Sequence, residues 1–257
     1  MIKNGLRVIV VMPAFNAAKT LKLTYEAMPK ERVDLVILVD DASTDETISI
    51  AKDLGLKIFI HSRNYGYGAN QKTCYLEALK ENPDVIVMLH PDYQYDPTLL
   101  PQLIAPIENG DADIVLGSRM LVDDALKRGM PLWKYVANRF LTKIENIFLR
   151  QNLSEYHTGY RAYSKKFLES VPFVLNSDKF VFDQEILVQA VENGFRISEI
   201  PVPAKYFPDA SSAGFKDSLI YGLNILLLLT KYMLHKTGFF RQKIFLSHSL
   251  RYMALKC

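Results

Sequence analysis

The stretch HPDYQYDP (90–97) closes an apolar run, DVIVMLH (84–90), that reads as a buried strand. Asp92 is its best candidate for chemistry. A divalent cation on a diphosphate is held by hard oxygen ligands, typically one or two protein carboxylates plus phosphate oxygens. Gln94 can add a carbonyl oxygen or hydrogen-bond the site. His90 brings an imidazole, which suits manganese and later metals better than magnesium. A plain turn, with Asp96 capping a helix that starts at Pro97, accounts for Asp96 but leaves Asp92 without a role.

Three other loops carry polar groups after apolar runs. In PAFNAA (13–18), Pro13 is expected to end a strand and Asn16 to cap a helix beginning near Ala17. In VDDASTDET (39–47), Thr44 or Asp45 can cap the next helix. That leaves Asp40 and Asp41 to accept hydrogen bonds from a base N–H or ribose hydroxyls. In RNYGYGANQK (63–72), Gly66 and Gly68 allow close backbone approach just before a helix N-terminus.

The elements that must position these loops follow from the pattern. Strand-like runs at 7–13, 35–41, 57–62, 85–90 and 113–118 alternate with helix-length segments at 17–28, 45–54, 67–81 and 98–109. Strands apolar on both faces, separated by helices, predict an α/β fold with a mostly parallel central sheet covered by helices. Ligands of such sheets bind beyond the carboxyl ends of the strands, where all four loops lie. A polar stretch at 120–135 is expected as a mobile loop before a long helix over 132–150, and AYS (162–164) as a short strand.

The 257 residues suffice for one large core. The two cysteines, Cys74 and Cys257, form no CxxC pair, which suits a reducing, cytoplasmic setting. The apolar run near Met1 is too short for a signal peptide. Residues 1–217 hold 25 Lys and Arg against all 28 acids, whereas residues 218–257 hold six basic residues and no acid. The second block contains LIYGLNILLLLTKYMLH (219–235), an apolar core shorter than the ~18–20 residues that span a bilayer. It reads either as a helix lying in a membrane surface, on the cytoplasmic face, or as a core helix with a basic tail. The expected division is 1–217 for the main domain and 218–257 for this segment. Nucleic-acid binding is poorly supported, because the basic residues sit in an apolar tail without stacking loops. The first strand lacks the glycine fingerprint of a dinucleotide dehydrogenase.

PAFN, VDDASTD, NYGYGAN, HPDYQYDP, GSR and TGYRAYS, in this order, resemble a family 2 glycosyltransferase of the Rossmann-like GT-A fold, over roughly residues 6–215. The group most similar is that of the dolichol- or polyprenol-phosphate mannosyl and glucosyl transferases. The resemblance implies a nucleotide-diphosphate sugar donor, UDP- or GDP-linked, a divalent metal (Mn2+ or Mg2+) and an inverting hexose transfer. It implies that Pro13, Phe15, Asp41 and the Gly66–Gly68 loop surround base and ribose, with Asn16, Asp40 and Asn70 of the same motifs in the donor site. Asp92 matches the second aspartate of the DxD motif and Gln94 the glutamine after it. Arg119 and Arg161 match basic residues near phosphates. Lys205 stands at a basic position, and Ser212 is expected to touch phosphate. Three positions depart from the family pattern: Ala17 for an acid, Tyr67 for a lysine and His90 for the first DxD aspartate.

Asp183 and Glu185 in FVFDQEILVQA (180–190) are candidates for an acceptor base or for organising the phosphate site; otherwise they supply acidic charge at a helix N-terminus. A sugar hydroxyl acceptor must lose a proton as it attacks and needs such a base. A phosphate monoester, with a second pKa of about 6, attacks already ionised. Arginines and a basic apolar tail suit the second kind, a polyprenyl phosphate. Two other readings compete: a soluble transferase acting on a sugar hydroxyl, and a nucleotide-sugar-binding protein without metal or turnover, suggested by His90 and Ala17.

Overall fold

A computed structural model of the chain describes residues 5–122, 125–203 and 214–247. Seven strands form one sheet: β1 (Val8–Ala14), β2 (Leu35–Asp40), β3 (Lys57–Ile60), β4 (Val85–Met88), β5 (Ile114–Ser118), β6 (Arg161–Ser164) and β7 (Ile197–Pro201). Their order is β3-β2-β1-β4-β6-β5-β7. All neighbours are parallel except β6, which runs antiparallel to both β4 and β5. The expected parallel half is present. The antiparallel β6, seen in the sequence only as a short strand, and β7, not anticipated, complete the sheet.

Eight helices cover it: α1 (Leu21–Glu26), α2 (Thr47–Asp53), α3 (Tyr67–Lys80), α4 (Leu100–Glu108), α5 (Leu132–Leu149), α6 (Lys165–Ser170), α7 (Phe182–Glu192) and α8 (Phe215–Lys236). Alternation along β1 explains why its strand reads as continuously apolar. Ile9 and Val11 enter one core with Tyr75, Phe182 and Ile186, while Val8, Val10 and Met12 enter the other with Leu100, Leu103 and Ile104. Strand order reverses between β1 and β4, which leaves a crevice beyond their carboxyl ends. Phe15, Asn16 and the 90–94 turn border it.

Two helices depart from the usual polarity. On α5 the buried residues are Asn138, Thr142, Glu145 and Leu149, three of them polar. Its exposed face carries Leu132, Val136, Phe140 and Ile147, which are 57–66% exposed. α8, packed beside it, turns Ile225, Leu228, Leu229 and Tyr232 into the core. Its other side leaves Leu219, Leu223, Leu227 and Leu234 in solvent. The C-terminal segment is thus a core helix on one side and an apolar surface on the other. The sequence pattern understated its length: residues 216–236 are long and apolar enough to cross a membrane by length and composition.

Two helical glycines, Gly68 in α3 and Gly222 in α8, test how closely their helices are packed. A Cβ on Gly68 would stand 2.3 Å from the Ser177 carbonyl oxygen, whereas one on Gly222 would meet only Leu141 at 3.6 Å. Alanine is intrinsically better than glycine in a helix by up to about 1 kcal/mol. Gly222→Ala should therefore raise the melting temperature slightly. Gly68→Ala should lower it by the equivalent of ~1–3 kcal/mol, because two backbones must part. Thermal denaturation of both variants checks the opposite signs.

Candidate active site

The loops beyond β1, β2 and β4 are held in uncommon backbone conformations. Asn16, Ala42 and Tyr93 have φ of 50°, 63° and 57°. Such conformations persist only where neighbours over-determine them, and they gather at functional sites. Here the neighbours are visible. The Asn16 N–H donates to Ser43 Oγ at 2.8 Å, and Asn16 Oδ1 accepts from the Thr44 N–H at 2.9 Å. Asn16 therefore caps no helix; α1 starts only at Leu21. Pro13 does not end its strand but lies within β1, paired with Val39. Glu46, not Asp45 or Thr44, stands at the N-cap of α2; Asp45, one residue earlier, accepts from the Thr47 N–H at 3.0 Å. Asp96 accepts from the Thr98 N–H, as expected of the cap before α4.

Several residues expected around the donor are bound instead to their own chain. Asp41 is buried; its Oδ1 accepts from the Tyr65 N–H (2.9 Å) and His61 Nδ1 (2.7 Å), and its Oδ2 from the Gly66 N–H (2.9 Å). It shapes the third loop. Gly66 and Gly68 approach the backbone of residues 177–179, not an open edge. Asn70 is buried, and its amide donates to Val39 O at 3.0 Å. Asp40 differs: buried, with Oδ2 accepting from the Ser43 N–H, it keeps Oδ1 without a partner. Phe15 is half exposed over the same crevice edge.

The arginines are corrected most sharply. Arg161 is fully buried. Its Nε donates to Thr158 O at 2.7 Å, Nη1 to Asp183 O at 2.9 Å and Nη2 to Tyr156 O at 3.0 Å. A guanidinium so enclosed serves the fold, not a phosphate. Arg119 is held likewise: its Nε donates to Glu155 Oε1 at 2.9 Å and its Nη2 to His157 O at 2.6 Å. Asp183, 3.6 Å from Arg161 Nη2, accepts from Tyr67 Oη (2.8 Å) and Gln71 Nε2 (3.0 Å), so it is no free base. Glu185 turns away and accepts from the Ser177 N–H at 2.6 Å, with burial pushing its carboxyl above the usual range. Lys205 and Ser212 lie outside the described residues.

What remains open is the turn after β4. Asp92 Oδ1 accepts from the Gln94 N–H at 3.0 Å, which holds the turn. Burial pushes the Asp92 carboxyl above the ordinary carboxylate range and the His90 imidazole below its own. Each is thus disfavoured in its charged form, and a cation beside Asp92 would reverse its shift. No group of three or more His, Cys, Asp or Glu side chains among the described residues could hold a metal alone. The donor set of Asp92, His90 and the Gln94 amide fits a cation that takes its remaining ligands from a diphosphate and water. Tyr67 and His90, two of the positions that depart from the family pattern, stack with ring centroids 5.5 Å apart. No spacing in the sequence signalled that contact.

Comparison with known proteins identifies the family and the fold. The model of glycosyl transferase family 2 matches residues 9–171, and the chain belongs to that family. An uncharacterized protein of Methanocaldococcus jannaschii is 30% identical, over 88% of this chain and 92% of its own. The UDP-N-acetylglucosamine–dolichyl-phosphate N-acetylglucosaminyltransferase of Methanococcus voltae is 27% identical, over 87% of this chain and 96% of its own. A solved structure of glucosyl-3-phosphoglycerate synthase from Mycobacterium tuberculosis, in complex with Mn2+, UDP and phosphoglyceric acid, superposes with a TM-score of 0.67. It has 17% identity and covers 92% of this chain and 80% of that one. The protein is a glycosyltransferase with the GT-A fold.

The enclosure of Arg161 yields a prediction. Lysine cannot serve three carbonyls in three directions, so Arg161→Lys leaves buried acceptors unpaired beside a buried carboxylate. A buried acceptor left unpaired costs about 1–3 kcal/mol, and several together lower the melting temperature on the order of 10 °C for a chain of this size. Differential scanning calorimetry should find that fall. An unchanged melting temperature would contradict the structural role.

Proposed function

We propose that the protein transfers a hexose from a UDP- or GDP-linked sugar to a polyprenyl phosphate at a membrane surface. The observation that carries the reading is α5, whose apolar residues face outward beside the site. Its first turns line a cleft of about 650 Å³ formed by Leu132, Trp133, Val136, Ala137 and Phe140. Lys134 lies close enough to Arg119 for the latter's charge to lower its pKa, although burial is the larger cause. Arg119 follows directly on the carboxyl end of β5. An apolar surface with Lys134 and the Glu155-paired Arg119 nearby suits a ligand with a phosphate at one end and a hydrocarbon chain at the other.

Asp92, with His90 and Gln94, is the set of side chains that would hold a divalent cation on the donor. That cation would neutralise charge on the leaving diphosphate. Asp40 and Phe15 border the crevice from the nucleoside side. A phosphate acceptor near neutrality needs no base, which agrees with Asp183 being fully engaged inside the protein. The apolar faces of α5 and α8, with Lys231, Lys236, Arg241 and Lys243 close by in sequence, would lie against an anionic leaflet. This peripheral seat is on the cytoplasmic side, where nucleotide sugars are supplied.

Incubating the protein with UDP- or GDP-hexose, Mn2+ and a polyprenyl phosphate, then extracting lipid, tests the reading. A sugar-phosphate lipid should form, and Asp92→Asn should reduce its rate by orders of magnitude without lowering the melting temperature. Transfer only to free hydroxyl acceptors would replace the reading. The membrane seat has its own test. Phe140→Glu with Leu223→Glu should cut co-sedimentation with anionic vesicles severalfold while circular dichroism stays unchanged, and undiminished sedimentation would remove α5 and α8 from the interface.

A further inference from the structure

We propose that His90 ligates the metal through Nδ1, that Tyr67 and Asp183 hold it in the required tautomer, and that this imidazole tunes the site toward Mn2+ over Mg2+. The proposal rests on the metal-assisted transfer reading above.

Asp183 lies 3.6 Å from the buried Arg161 guanidinium and is an acceptor only. Tyr67, 2.8 Å from Asp183 Oδ2, must therefore direct its single hydroxyl proton there. Its oxygen is then left to accept, and the group within reach is His90 Nε2 at 3.3 Å. The ring proton accordingly sits on Nε2, and Nδ1 carries the lone pair. The ring cannot swing away easily. A Cβ on Gly159 would come within 2.8 Å of His90 Cδ2 and 2.9 Å of Nε2, so this edge rests against bare backbone. Tyr67 covers one face in a near-parallel stack, 13° between planes.

Nδ1 makes no hydrogen bond among the described residues and is not one of the buried polar atoms left without a partner. Asp92, two residues on, accepts through Oδ1 from the Gln94 N–H, and Oδ2 accepts no hydrogen bond from another described residue. A histidine that only filled space would need neither an oriented tautomer nor an unengaged nitrogen close enough to Asp92 to feel its charge. A ring N–H fixed by a hydroxyl and a carboxylate behind it is how metal-binding histidines are oriented. One imidazole in place of a hard oxygen favours Mn2+ over Mg2+.

Electron spin-echo envelope modulation of the full chain with Mn2+ and UDP, and in parallel with GDP, tests this directly. The wild-type complex should show 14N coupling from a bound imidazole, absent in His90→Gln. Tyr67→Phe should weaken Mn2+ binding about tenfold and diminish the coupling, and His90→Asp should lower the Mn2+/Mg2+ affinity ratio by about as much. A Mn2+–nucleotide complex without 14N coupling, or coupling that survives in His90→Gln, overturns the inference while leaving the transferase reading standing. Binding of neither nucleotide with Mn2+ would overturn both.

Discussion

The ion pair between Arg161 and Asp183 is the interaction on which the site's geometry depends. Arg161 opens β6 in the middle of the sheet, opposite Met88 of β4 and Leu116 of β5. Asp183 lies in the first turn of α7, and Tyr67 and Gln71, which donate to it, lie in α3. Through Tyr67 the network reaches His90, and through the carbonyls of Tyr156 and Thr158 it fixes the segment that enters β6. Two charges buried together gain little net stability, because desolvation offsets most of their attraction. What they do is fix position: neither can shift without leaving the other unpaired. The pair thereby couples the turn after β4, the start of α3 and the start of α7.

α5 applies the same logic in reverse. Its inner face carries Asn138 and Glu145, and Asn138 donates to Glu155, which also receives Arg119. These buried polar groups bind the helix to the loop before β6, so its outer face is left free of any packing role. In a water-soluble helix that outer face would be polar. Here it is Leu, Val, Phe and Ile, continuous with the exposed side of α8. Contiguous apolar surface of this kind marks an interaction surface. In the proposed reading, its position near Arg119 and Lys134 would bring a lipid's hydrocarbon chain and its phosphate to neighbouring parts of the protein.

Much of the architecture was legible because it rests on burial. The first five strands are apolar on both faces and have few other fates, and the four loops at their carboxyl ends follow from that. The roles of the polar residues were legible only in part. Arg161, Asp183, Asn70 and Gly68 fall on functional motifs, yet each is turned toward its own chain, and a sequence does not say which carbonyls a side chain will meet. Asp41 is the same case, drawn onto the Tyr65 and Gly66 N–H groups. Asp92 stayed accessible because its turn needs only one carboxylate oxygen. The Tyr67–His90 contact joins the first residue of α3 to the turn after β4, 23 residues apart, and leaves no periodic trace. The positive φ of Ala42 was equally hidden, since alanine gives no hint of it.

The central claim is that a polar interior holds the catalytic turn while an apolar exterior delivers a lipid-borne phosphate to it. Transfer rates compared for one donor with two acceptors test it most directly: a long polyprenyl phosphate in anionic vesicles and a short, freely soluble prenyl phosphate. The account predicts that the Phe140→Glu, Leu223→Glu protein keeps its rate on the soluble acceptor and loses most of it on the vesicle-borne one. Equal losses on both acceptors, or no loss on either, would contradict it.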